Sequence, residues 1–126
     1  MNTQPATTSG NRAMPATPVR WDTLTPDATQ RELGQLGAWV VRLVERYQID
    51  ARTIPPCWSN HGALVEELSA LHTAWLSSYA LTAPGNAPLA WHGSFATCRS
   101  RMSDYTARSG CTANCHRSQR VVVLNS

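Results

Sequence analysis

The stretch Cys57–Tyr79, CWSNHGALVEELSALHTAWLSSY, decides the fold. Leu64, Leu68, Leu71, Trp75 and Tyr79 recur at three- and four-residue steps, with Val65 and Leu76 beside them, the period of one face of an α-helix. Ser59 or Asn60 can cap its start, because short polar side chains accept from the unpaired N–H groups of a first turn. Upstream, Ile54-Pro55-Pro56-Cys57 must run extended, since proline fixes its own φ and drives its predecessor out of the helical region. Downstream, Thr82-Ala83-Pro84-Gly85-Asn86 reads as a turn. Trp91, Phe95, Cys98, Met102 and Tyr105 then repeat the helical spacing as far as Ser109-Gly110, glycine being common just past a helix C-terminus. Two helices of roughly 20 residues joined by so short a turn pack antiparallel.

A further helix precedes this pair. Thr25 is a natural N-cap, Pro26 suits the first helical position, and Asp27 suits the positive end of the helix dipole. Leu33, Leu36, Val40, Leu43, Val44 and Tyr47 follow on one face, and the helix should stop near Asp50. Gly34 and Gly37 weaken it or admit a close neighbour. Trp39, Trp75 and Trp91 sit at apolar helical positions and read as core aromatics. The expected fold is mainly α, a small three-helix bundle within a single domain spanning 21–126. Residues 1–20, rich in Thr, Pro, Ser, Ala and Gln, bury too little apolar surface to order and are expected to form a disordered tail. Val121-Val122-Val123-Leu124 reads as a short strand or a strap across the core.

Composition sets outer limits. With 42% hydrophobic and 15% charged residues, a 126-residue chain is an ordinary globular protein with room for one domain. All 11 basic residues are arginine, which in an alanine-rich chain points to the codon bias of a GC-rich genome before it points to a specialised arginine surface. No apolar stretch approaches the ~18 residues that span a bilayer. Met1–Arg20 holds no secretory apolar run, so a cytoplasmic location is expected, where cysteines are reduced thiols or metal ligands rather than disulfides.

The chemistry lies in Cys57, His61, Cys111 and His116, spaced C-x3-H and C-x4-H, as zinc ligand pairs usually are. Antiparallel packing strengthens the pattern. It sets the start of the second helix beside the end of the third, so two half-sites ~50 residues apart reach one pole of the bundle. Zinc suits a mixed sulfur and nitrogen set and needs no redox activity. Cys115 is an alternative fourth ligand to His116, since adjacent residues rarely bind one ion together. The competing account makes Cys57 a small buried hydrophobe, His61 an ordinary first-turn residue and the tail cysteines plain thiols. Cys111 to His116 also approximates a haem attachment motif with one spacer too many, C-x3-C-H, but neither export nor a methionine partner is indicated. Cys98 reads as core, and His72 and His92 as structural histidines.

Pro56-Cys57-Trp58-Ser59-Asn60-His61, the helix Val65–Trp75, and the later Ser109, Gly110, Cys111, His116 and Arg117 together resemble small actinobacterial proteins of unknown function encoded on plasmids, phages and integrative elements. Their pattern is W-x2-H, an acidic-hydrophobic helix ending in Trp, then S-G-C-x4-H-R, and the likeness covers roughly residues 21–120. It implies that Cys111 pairs with His116, leaving Cys115 as an extra, and it assigns no activity.

Charge is uneven. Residues 84–126 carry five arginines against Asp104, whereas residues 21–83 carry four against seven acids. A non-enzymatic, zinc-stabilised accessory or binding protein is therefore expected, acting on nucleic acid or on replication, transfer or transcription machinery. Arg99, Arg101, Arg108, Arg117 and Arg120 are the candidate phosphate contacts. One alternative is a purely protein-binding adaptor, engaging its partner through the acidic first helix or the tail. The other is a small zinc enzyme. Glu66 and Glu67 lie within about two turns of His61, but no H-E-x-x-H arrangement is present. With no phosphate-cradling loop, nucleophile elbow or carboxylate pair either, no catalytic residue is named and no small-molecule substrate is indicated.

Overall fold

Thr25 opens α1 (Pro26–Tyr47) as expected: its Oγ1 accepts from the Ala28 N–H at 3.1 Å. The computed structural model describes residues 16–113 and 116. Helix α1 ends at Tyr47, a turn earlier than Asp50, because Gln48 adopts a left-handed conformation (φ 54°) with its N–H on the Val44 carbonyl. Asp50 instead builds the next turn. Its carboxylate accepts from the Arg52 N–H at 2.9 Å and its carbonyl accepts from Thr53 and Ile54. The Arg52 guanidinium also holds the Asp50 carboxyl below the usual range.

Helix α2 (Gly62–Ser78) does not start at Ser59 or Asn60. The segment 54–57, expected to run extended, turns instead, because the Asp50 and Pro55 carbonyls still accept. Ile54 N–H bonds the Asp50 carbonyl at 3.1 Å, and Trp58 N–H reaches the Pro55 carbonyl at 3.0 Å. Cys57 (φ −90°, ψ 18°) leads into a 3-10 turn over Trp58–Asn60. Ser59 and Asn60 are absorbed by that turn, and His61 becomes the N-cap. Helix α3 (Ala87–Ser109) follows the expected turn and stops at Gly110, whose φ of 81° is a conformation only glycine adopts freely.

Three pairings establish the antiparallel α2/α3 register. His61 Nδ1 lies 3.3 Å from Tyr105 Oη, Glu67 binds Arg101 through two bonds of 2.7 and 3.0 Å, and Trp91 Nε1 donates to the Leu71 carbonyl at 3.1 Å. Helix α1 packs against both. Trp39 stacks on His72 with centroids 4.6 Å apart, Trp75 is next along at 6.0 Å, and Tyr47 meets Phe95 of α3 at 5.0 Å. Tyr47 ends α1 beside Phe95, and residues 48–61 carry the chain from there toward Tyr105 and the start of α2. They do so along α3, where Thr53 Oγ1 pairs with Ser103 Oγ at 2.7 Å and its carbonyl accepts from Thr106 Oγ1 at 3.2 Å.

The expected stripes form the core, including Leu36, Val40 and Leu43 from α1, Leu64, Leu68 and Leu71 from α2, and Trp91, Phe95, Cys98 and Met102 from α3. Two residues of the α2 stripe depart from it. Leu76 is 46% and Tyr79 53% exposed. Residues 16–20 are irregular, and Thr17 and Val19 line a cleft between α1 and α2. The rest of the expected tail and the Val121–Leu124 segment lie outside the described residues. Among the described residues there is no strand, and no helix is long and apolar enough to cross a membrane.

Leu68 is 0% and Leu89 72% exposed. Leu68→Ala should lower the unfolding free energy by about 2–5 kcal/mol in urea titrations, whereas Leu89→Ala should stay within ~0.5 kcal/mol of the parent.

Candidate metal centre

The two prolines place Cys57 at the lip of the 3-10 turn, and the turn delivers His61 to the top of α2. As an N-cap, His61 gives no side-chain bond to its own helix. Its imidazole turns inward and is 1% exposed. At the other end of the antiparallel pair, the Gly110 N–H closes on the Thr106 carbonyl at 3.1 Å, and the left-handed turn sends the chain back over the pole. Cys111 is buried there, its N–H donating to Ser109 Oγ at 3.3 Å.

Cys57 Sγ lies 3.6 Å and Cys111 Sγ 3.4 Å from the same atom, His61 Nε2. His116, exposed at the rim, places Nδ1 3.6 Å from Cys111 Sγ, and its ring meets that of His61 at 5.1 Å. All four donor atoms lie within 4.8 Å of one another, and together they could hold one metal ion. One ion placed among these four atoms could draw on all of them at once. Burial, and after it the neighbouring Cys111 thiol, push the Cys57 thiol up, so binding a cation there must displace protons.

Tyr105 completes the arrangement. Its hydroxyl lies 3.3 Å from His61 Nδ1, so that an ion bound at Nε2 would leave the proton on Nδ1 and let it donate to Tyr105 Oη. Such an outer partner fixes the tautomer and aims the ligand nitrogen. Tyr105 was legible only as the last member of an apolar stripe. The available signal was that the stripe ends, beside the pole, in a residue with a hydroxyl.

Comparison with known protein families, with curated proteins and with solved structures finds no match. The centre is thus characterised by its own geometry.

The four expected ligands converge, and Cys115 lies outside the described residues. Cys98 is a core residue whose sulfur accepts from Arg101 Nη2 at 3.3 Å. His72 stacks on Trp39, where burial lowers its pKa and favours the neutral ring. His92 is exposed near the Tyr47 hydroxyl. Glu66 is exposed and Glu67 is held by Arg101, and neither joins the cluster. Of the candidate phosphate contacts, Arg101 is engaged by Glu67, Arg99 lies 5.2 Å over the Phe95 ring, and Arg108 is exposed. Arg117 and Arg120 lie outside the described residues.

Cobalt(II) added to the reduced chain should give the visible bands of a tetrahedral site with thiolate-to-metal charge transfer. Tyr105→Phe should preserve those bands and weaken affinity by about 10- to 100-fold. Unchanged affinity in Tyr105→Phe would show that the hydroxyl does not support the ligand.

Proposed function

We propose that the ion is zinc, that its role is structural, and that the chain is a non-enzymatic binding protein stapled by it. One observation carries this reading: the sulfur–nitrogen distances of 3.4–3.6 Å. Zinc bonds of ~2.3 Å to sulfur and ~2.0–2.1 Å to nitrogen, set at tetrahedral angles, have sulfur–nitrogen edges of ~3.5 Å. Two thiolates and two imidazoles also match the donor preference of zinc over harder divalent ions.

Four protein ligands complete a tetrahedral shell, the arrangement of structural sites; catalytic zinc keeps a position for water. An ion held this way ties the start of α2 to the end of α3 and fixes the segment after Gly110. The resemblance to mobile-element proteins directs the choice of partner toward nucleic acid or the proteins that replicate, transfer or transcribe it.

Purification under reducing conditions without added metal, followed by elemental analysis and native mass spectrometry, should find one zinc per chain. Cys57→Ser and Cys111→Ser should each lose it and melt about 10 °C or more below the parent. A metal-free parent, with both variants folding as it does, would remove the proposal.

A further inference from the structure

The metal centre occupies one pole of the bundle. At the other, the C-terminal ends of α1 and α2 meet the first turns of α3. A groove of about 850 Å³ opens there, lined among others by Trp39, Arg42, Arg46, Tyr47, Trp75 and Tyr79. A second cleft of about 440 Å³ is lined by Tyr47, His92, Phe95 and Arg99 among others, so Tyr47 borders both.

The groove is aromatic. Trp75 stands between Trp39 at 6.0 Å and Tyr79 at 5.2 Å, and Trp39 is backed in turn by Trp91 at 6.5 Å. Tyr79 is exposed, and Trp75 and Tyr47 are half-buried. The rings therefore form a tilted aromatic cluster whose inner member, Trp39, is buried in the core and whose outer members present surface to solvent.

The groove is also basic. Arg42 and Arg46 are exposed, and among the described residues neither they nor Arg99 lies within ion-pair distance of a carboxylate. Glu45 is the one acid among the lining residues. Arg42 and Arg46 line the groove together with Trp75 and Tyr79, and Arg99 lines the cleft together with Tyr47 and His92.

The ligand must satisfy both features. An acidic peptide would use the cations and leave the rings idle, and an apolar helix would cover the rings and strip water from unpaired guanidinium groups. Duplex DNA offers phosphates but hides its base faces. A single strand offers flat unpaired bases joined by anionic phosphates, and its bases stack on aromatic rings while arginine meets the backbone. We propose that this groove binds single-stranded nucleic acid, with bases stacked on Tyr79, Trp75 and Tyr47 and phosphates met by Arg42, Arg46 and Arg99. This rests on the chain being a binding protein and not on the identity of its ion.

The test is fluorescence anisotropy of a labelled oligothymidylate with the full, metal-replete chain at low salt. Metal content and circular dichroism are recorded for every variant, so a failure of the groove and a failure of the metal site are read separately. The parent should bind the oligothymidylate at least tenfold more tightly than a duplex, and more tightly than an abasic strand of equal length. Tyr79→Ala should weaken binding by about tenfold, with Tyr79→Phe retaining it. The double variant Arg42→Ala/Arg46→Ala should weaken it by about tenfold or more and reduce the slope of log affinity on log salt by ~1.4, two phosphates at ~0.7 each. The proposal is overturned if the oligothymidylate does not bind, or if duplex or abasic strands bind as well. It is also overturned if folded, metal-replete groove variants bind as the parent does, which would move the contact to other arginines such as Arg108.

Discussion

One imidazole nitrogen with two sulfurs 3.4 and 3.6 Å away joins the start of α2 to the segment after α3, and the pole of the bundle is arranged around that meeting. The sulfurs belong to residues at the two ends of an antiparallel helix pair, and the nitrogen belongs to the residue that caps one of them. Desolvation, and after it the neighbouring Cys111 thiol, push the Cys57 thiol up, so a cation bound there would displace protons. Structural zinc sites in small domains are worth about 10–16 kcal/mol, as large as the whole stability of a typical domain, so such an ion would rank with the hydrophobic core as a source of order.

The backbone features near the centre serve that meeting. Residues 48–61 return along α3, and the turn closed on the Pro55 carbonyl leads into the 3-10 turn that aims His61 inward. At the other half-site, Gly110 reverses the chain so that Cys111 falls back onto the pole. The Glu67–Arg101 pair lies between the two ends of the bundle, but with Arg101 54% and Glu67 28% exposed it contributes little by itself. Register is held instead by the buried faces of Leu64, Leu68 and Met102 and by the bond from Trp91 to the Leu71 carbonyl.

Much of this was legible in the chain. Thr25 and Gly110 mark helix ends through chemistry that acts within a turn, and the apolar stripes name the core because burial follows the helical period. The ligand set was legible through topology, since a short turn between two long helices leaves little choice about which ends meet. Other features depend on geometry that spacing does not carry. Ser59 and Asn60 are good caps in isolation, but the Pro55 carbonyl captures the Trp58 N–H first and moves the cap to His61. Tyr79 continues a perfect stripe, yet it lies past the end of α2 and half of it stays in water. Tyr105 and the Glu67–Arg101 pair required the α2/α3 register to the residue, which periodicity alone does not set.

The most direct test of the central claim is X-ray absorption at the zinc edge of the protein as purified. Two sulfurs at ~2.3 Å and two imidazole nitrogens at ~2.0–2.1 Å are expected, with outer-shell scattering from the rings. A shell of oxygens, or one with a single sulfur, would contradict the joining of Cys57 and Cys111 through one ion.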